Sequence, residues 1–193
     1  MNAIANVSRR EFVKGVFSTG ALVLSASLVP EILGAQPSSP GASPKDAVLR
    51  PNVFVAIQSD ETVSIVAARS EMGTGISTAL PLVLADELDA DWTKVKIQHA
   101  DADKRYGDQD TDGSHSVRSF FDVMRGCGAA ARYMLIQAAA AQWNVPAAAC
   151  EAELGTVIHR ASGRKATYGQ LAAAASKLPV PDQGKLRFKP KGA

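Results

Sequence analysis

From Asn52 onward, polar and apolar positions alternate along the chain. "NVFVAIQ" (52–58) and "TVSIVAA" (62–68) put apolar side chains on one face with period two, and Ser59-Asp60-Glu61 separates them. This predicts a β-hairpin with one buried face. After "RSEMGTG" (69–75), "ISTALPLVLADELDA" (76–90) changes to helical spacing, with Pro81 either in the first turns or at a kink. "KVKIQHA" (94–100) alternates again and predicts a third strand. The longest signal runs from Ser116 to Gln142. There Val117, Phe120, Met124, Cys127, Ala131, Met134, Leu135 and Ala138 recur at spacings of three and four, marking one face of a helix. "GAAAR" and "QAAAAQW" within it combine high helix propensity with small side chains that permit close packing. "GTVIHRASGRKATYG" (155–169) predicts a second hairpin with Ser162-Gly163 in its turn. Thr167 and Gln170 form a capping box for "YGQLAAAASKL", and Pro179 and Pro181 end that helix. The fold class is α+β: a small, mostly antiparallel sheet packed with a long Ala-rich helix and two shorter helices.

Upstream of this pattern the chain has a different character. Ser8-Arg9-Arg10-Glu11-Phe12-Val13-Lys14 fits the twin-arginine pattern S-R-R-x-F-[VL]-K, and a moderately apolar run from Val16 to Val29 follows. Residues 1–35 are therefore expected to be a twin-arginine export signal, with cleavage after Ala35 or retention as an anchor. That signal predicts an exported, periplasmic protein, free or membrane-associated. The route carries folded proteins, often already loaded with a cofactor. Residues 36–50 begin with "QPSSPGASPKDA" and are expected to be a flexible linker. Residues 51–182 form the folded domain, and 183–193 ("QGKLRFKPKGA") a basic tail left to solvent.

Composition narrows the function. With 46% hydrophobic residues the chain can build a core, and a net charge of +2 is too small to argue for nucleic acid. Cys127 and Cys150 match no zinc or iron–sulfur spacing, and their redox state stays open. His99, His115 and His159 are too dispersed for a metal cluster and are expected at the surface or in loops. Trp92 and Trp143 are expected to be core anchors, and the run Asp86, Glu87, Asp89, Asp91 a solvated helix end.

"YGDQDTDGSHSVR" (106–118) admits two chemistries. Asp108, Asp110, Asp112 and Gly113 reproduce the front half of an EF-hand calcium loop, but position 12 is Ser119, which cannot supply the bidentate carboxylate. Alternatively, Gly113-Ser114-His115-Ser116 opens the long helix, where unpaired N–H groups and the helix dipole favour an anion. Gly73-Thr74-Gly75, between the first hairpin and the next helix, has the same character. It is not a Rossmann fingerprint, because the third glycine is missing and the order of elements differs.

Taken together these stretches resemble one family. "SEMGTGISTALPLVLADELDADWTKVKI" is similar to the E-M-G-Q-G…T-x-L…A-x-E-L-x-A-D-W-x-x-V segment of molybdenum hydroxylase large subunits. "DQDTDGSHSVRSFFDVMRGCGAAARYMLIQAAAAQWNV" is similar to their Q-x-T-G-G-S-x-S-V segment and the helix after it, and "GTVIHRASGRKATYGQLAAAASKLPVP" continues the match. The subgroup it resembles is the exported large subunits typified by isoquinoline 1-oxidoreductase beta subunits and membrane-linked aldehyde dehydrogenases, within the xanthine dehydrogenase superfamily. The resemblance implies a molybdopterin cofactor with molybdenum, in the cytosine dinucleotide form. It implies that Gly73, Thr74 and Gly75 approach the pterin, that Gly113, Ser114, His115 and Ser116 meet the phosphate end, and that Gln109 lies near the pterin or the metal ligands. It also implies hydroxylation of an aldehyde or N-heterocycle with oxygen from water. The partners implied are the remaining segments of the large subunit, a small [2Fe–2S] subunit and a cytochrome c.

Three departures qualify the expectation. Thr74 stands where the family has Gln, losing an amide. Asp112 stands where it has Gly, adding a negative charge beside a proposed phosphate site. The family's catalytic glutamate has no counterpart in these 193 residues, and Glu71 is a motif residue, not that base. The chain is thus expected to be an incomplete part of such an enzyme. The alternatives are a non-catalytic exported domain or decayed paralogue, and a calcium-binding module.

Overall fold

The computed structural model describes residues 48–190. The export-signal stretch and most of the linker lie outside the described residues. Among the described residues, two sheets and three helices share one apolar core. The first sheet has the order β1-β2-β3-β4. β1 (Val48–Leu49), at the end of the segment read as linker, pairs antiparallel with β2 (Val55–Gln58), and β2 pairs antiparallel with β3 (Val63–Ala67). The buried side chains of Val55, Ile57, Val63 and Ile65 confirm the alternation seen in the sequence. β4 (Val95–His99) joins β3 in parallel, Ile65 opposite Ile97, so helix α1 (Ile76–Leu88) is the crossover of a β-α-β unit. Pro81 lies in the second turn of α1, buried, and the helix runs through it.

Helix α2 (Ser116–Trp143) packs mainly on α1. The contact is close because Gly128 has no side chain: a Cβ there would lie 2.5 Å from the Leu84 carbonyl oxygen. Met124, Ala131, Met134, Leu135 and Ala139 are almost fully buried. Val117 departs from the expected face. It is 47% exposed. The Ala-rich half is buried on more than one face, so Ala129 and Ala130 also lose solvent.

The second sheet is antiparallel, β5 (Cys150–Glu153), β6 (Thr156–His159) and β7 (Arg164–Thr167). The hairpin β6–β7 was expected; β5 was not. Helix α3 (Tyr168–Ala175) starts at the predicted capping box. Thr167 Oγ1 accepts from Gln170 N–H, and the Gln170 side chain accepts from Thr167 N–H. Tyr168 Oη donates to Leu88 O at 2.6 Å, tying α3 to the C-terminus of α1. Burial pushes that phenol's pKa up.

Four side-chain placements differ from expectation. Trp92 lies in a single 3-10 turn (Trp92–Lys94) and is 41% exposed. His159 is buried in β6, its Nδ1 2.7 Å from Ser162 Oγ. The acidic run does not end in solvent: the Glu87 side chain is 1% exposed, paired with Arg125 (2.8 Å) and Arg132 (2.9 Å) of α2. The basic tail packs on this cluster. Lys189 N–H donates to Glu87 Oε1, its ammonium reaches Asp86 and Asp89, and the Arg187 and Lys189 carbonyls accept from Arg132 and Arg125. Acids that looked solvated are thus the anchors of the C-terminal strap. Cys127 and Cys150 are free and buried, and burial holds the Cys127 thiol up at about 12.

Candidate functional site

The two turns singled out in the sequence both lie at helix N-termini, and the fold treats them differently. At α2, Gly113 and Ser114 adopt left-handed backbone conformations (φ 50° and 54°) and reverse the chain into the helix. His115 takes the N-cap position but makes no side-chain hydrogen bond to the first-turn N–H groups. The opening amides of a 28-residue helix therefore have no side-chain cap, and the helix dipole favours a negative group there. The His115 ring is used sideways: Nε2 is 3.1 Å from Arg69 Nη2 and 3.4 Å from Asp108 Oδ2, and Nδ1 is 3.2 Å from Asp112 Oδ1. Arg69 Nη2 can only donate, so Nε2 accepts from it and the ring proton sits on Nδ1, facing Asp112. The Asp112 charge is thereby directed onto an imidazole N–H rather than left bare.

Beneath this turn lies Arg69, a residue the sequence reading passed over as part of a turn. Its side chain is 1% exposed. Nε donates to Ser116 Oγ (3.2 Å), Nη1 donates to Asp108 O (2.7 Å) and faces Asp108 Oδ2 (3.0 Å), and Nη2 donates to His115. The guanidinium also sits 5.0 Å from the centroid of the Phe120 ring. Asp108 is held by the Asp110 N–H and by Arg69, which lower its carboxyl pKa to about 2. Asp108 and Asp112 are thus committed within the loop, and among the described residues no three His, Cys, Asp or Glu side chains are grouped to hold a metal ion.

At α1 the N-terminus is already closed. Gly73 and Gly75 are left-handed (φ 81° and 77°), and they fold Glu71 back onto the helix. Its carboxylate accepts from Gly75 N–H (3.0 Å), Ser77 N–H (3.1 Å) and Ser77 Oγ (2.7 Å). The Ser77 hydroxyl and these amides lower the Glu71 pKa to about 2. The backbone of the turn stays open: a Cβ at Gly73 or Gly75 would meet nothing within 4 Å.

The two turns are joined at their roots. Thr111 Oγ1 donates to Ser70 O (2.7 Å), Ser70 N–H to Gln109 O (3.4 Å), and Gln109 Nε2 to Ala68 O (3.1 Å) and Asp101 O (3.2 Å). Gln109 Oε1 accepts from Asp103 N–H. Its whole carboxamide is thus spent on backbone groups, where it braces the loop.

Residues 24–192 match the molybdopterin cofactor-binding domain family. The chain belongs to that family. It is 42% identical over 166 residues to the isoquinoline 1-oxidoreductase subunit beta of Brevundimonas diminuta, covering 80% of this chain and 21% of the relative. It is 34% identical over 173 residues to the membrane-bound aldehyde dehydrogenase [pyrroloquinoline-quinone] of Gluconacetobacter polyoxogenes, covering 88% of this chain and 21% of the relative. The chain thus spans about a fifth of the length of these curated relatives. Among solved structures it shares its fold with the Cu,Mo-CO dehydrogenase, at a TM-score of 0.53 and 18% identity over 64% of this chain and 16% of that one.

The residues present fit a molybdopterin-type group at its anionic arm. The uncapped start of α2, Gly113 and Ser114 offer backbone N–H groups to a phosphate, and the open backbone of Gly73–Gly75 offers close approach to a flat ring system. The α1 terminus is not available to a second anion while Glu71 holds it. The glycines were legible because the turns require positive φ. Arg69 was not, because its partners lie 39 to 47 positions away.

Proposed function

We propose that this chain is the cofactor-binding N-terminal portion of a molybdenum hydroxylase that takes the cytosine dinucleotide form of molybdopterin. The observation that carries this is the pairing of an uncapped long-helix N-terminus with an open glycine turn on one hydrogen-bonded frame. When bound, the group supplies two-electron redox chemistry and water-derived oxygen to an aldehyde or N-heterocycle. The described residues hold and orient it. Gly113, Ser114 and the first amides of α2 receive the phosphate end, with Ser116 fixed by Arg69. Gly73, Thr74 and Gly75 border the pterin. Asp112 lies beside this phosphate position with its charge turned onto His115, and the Gln109 carboxamide fixes the loop that carries the site. Further segments of a large subunit, a small [2Fe–2S] subunit and a cytochrome c complete the proposed electron route. Export to the periplasm is part of the same reading, supported by Ser8-Arg9-Arg10-Glu11-Phe12-Val13-Lys14.

The test is to co-express the chain with the remaining large-subunit segments and the iron–sulfur partner, then assay molybdenum and acid-released cytosine nucleotide per protomer. Near-stoichiometric amounts of both are expected, and Gly113→Val should abolish both while leaving assembly intact. Molybdenum without cytosine nucleotide would contradict the dinucleotide form. Neither, in a fully assembled complex, would favour the non-catalytic alternative.

A further inference from the structure

We propose that Arg69 is a positioning residue that holds the two cofactor-facing turns in one register. The inference rests on the cofactor-binding reading for its purpose but not for its geometry. Residues 68–70 follow β3 directly and lead into the Glu71–Gly75 turn; residues 108–116 lead into α2. The backbone of the first segment is stitched to the second at Ala68, Ser70, Gln109 and Thr111. The side chain of Arg69 then leaves that seam inward and reaches Asp108, His115 and Ser116 at once. One planar fork therefore fixes the start of the acidic loop, its N-cap residue and the first residue of the helix. A lysine carries the same charge on a single point and cannot span three acceptors set around a plane.

The guanidinium also has an electrostatic part. It is the buried cation beneath a turn that carries Asp108 and Asp112, so it offsets their charge where an anionic phosphate is expected. Its stacking on Phe120 anchors the fork to the buried face of α2. Moving this side chain should disturb both turns, although only one of them touches its fork.

The experiment compares wild type, Arg69→Lys and Arg69→Gln with Met124→Ala, a truncation of a buried core residue two turns into α2 that is expected to lower the melting temperature. Amide hydrogen exchange is measured on the purified chain. Both Arg69 variants should speed exchange about tenfold or more in residues 70–77 and 108–118 together, the change expected from losing hydrogen bonds to a charged group. Met124→Ala should leave the ratio between these turns and the β5–β7 sheet unchanged. If residues 70–77 do not respond to Arg69→Gln, or if Arg69→Lys behaves as wild type, the proposal is overturned. Pterin fluorescence and molybdenum content of the assembled complex give the second readout, and both Arg69 variants should retain less than Met124→Ala. A wild-type complex without pterin would sink the cofactor reading, and the exchange data would still decide the role of Arg69.

Discussion

Glu87 and Asp108 show how differently two carboxylates can be used. Glu87 is surrounded by Arg125, Arg132 and the Lys189 backbone, and its charge is almost fully removed from water. Removing one partner from such a cluster leaves the others buried and uncompensated, typically at about 3–5 kcal/mol. Both arginines keep other acceptors here, so Glu87→Ala should cost about 3 kcal/mol in urea unfolding, and Glu87→Gln less. A loss under about 1 kcal/mol would mean the cluster contributes nothing net. Asp108 acts through pH instead. Its folded pKa of about 2 lies below the ordinary carboxylate value of about 3.9, so its contribution is fully present above pH 4. It is lost as pH falls through about 2. The Asp110 amide, which donates to that carboxylate, should shift in a nitrogen–proton correlation spectrum with a midpoint near pH 2. A midpoint near 4 would show that neither the Asp110 N–H bond nor the Arg69 pair holds this carboxylate in solution. The acidic run around Glu87 misled the sequence reading for a physical reason: whether an acid is buried depends on cations elsewhere. Arg125 and Arg132 are seven positions apart on α2, a spacing that returns to the same face and was the one local hint.

At the scale of elements, periodicity carried most of the fold. The β2–β3 hairpin, α1, β4, α2, the β6–β7 hairpin and α3 were all legible, because each repeats its apolar positions over several residues. β5 was not, since "CEAE" contributes only Cys150 and Ala152 to the buried side. The parallel pairing of β4 to β3 was also hidden, because strand order is set by the α1 crossover rather than by any local pattern. Two glycines two residues apart in α2 make a sharp comparison. Gly126 faces open space, so Gly126→Ala should stabilise by up to about 1 kcal/mol through helix propensity. Gly128 lies against the α1 backbone, so Gly128→Ala must push the helices apart and should cost about 1–3 kcal/mol. Thermal unfolding of the two variants should therefore move in opposite directions. The capping box of α3 gives a smaller effect: Thr167→Ala should cost about 1 kcal/mol by denaturant unfolding, with the loss confined to the α3 end in hydrogen exchange.

For the whole molecule, the tail closes the α1–α2 pair from outside. Phe188 lies beneath the Arg125 guanidinium, 5.0 Å away, and the backbone of 187–189 exchanges hydrogen bonds with the charged cluster. Deleting residues 186–193 strips a donor from a buried carboxylate and should cost about 1.5–3 kcal/mol. Exchange should rise at the C-terminal turn of α1, and unchanged protection there would show the strap to be decoration. The tail was expected in solvent because four lysines and arginines in a short terminal stretch read as a solvated end. Their partners are set by the fold.

Glu71 has a consequence for any experiment with added anions. A carboxylate tethered four to six residues from its own amides competes at an effective concentration on the order of millimolar or more. Sulfate or phosphate in an ordinary buffer must displace that internal competitor to settle on α1, but meets none at the start of α2. The two helix ends, alike on paper, are therefore expected to discriminate ligands by occupancy rather than by shape.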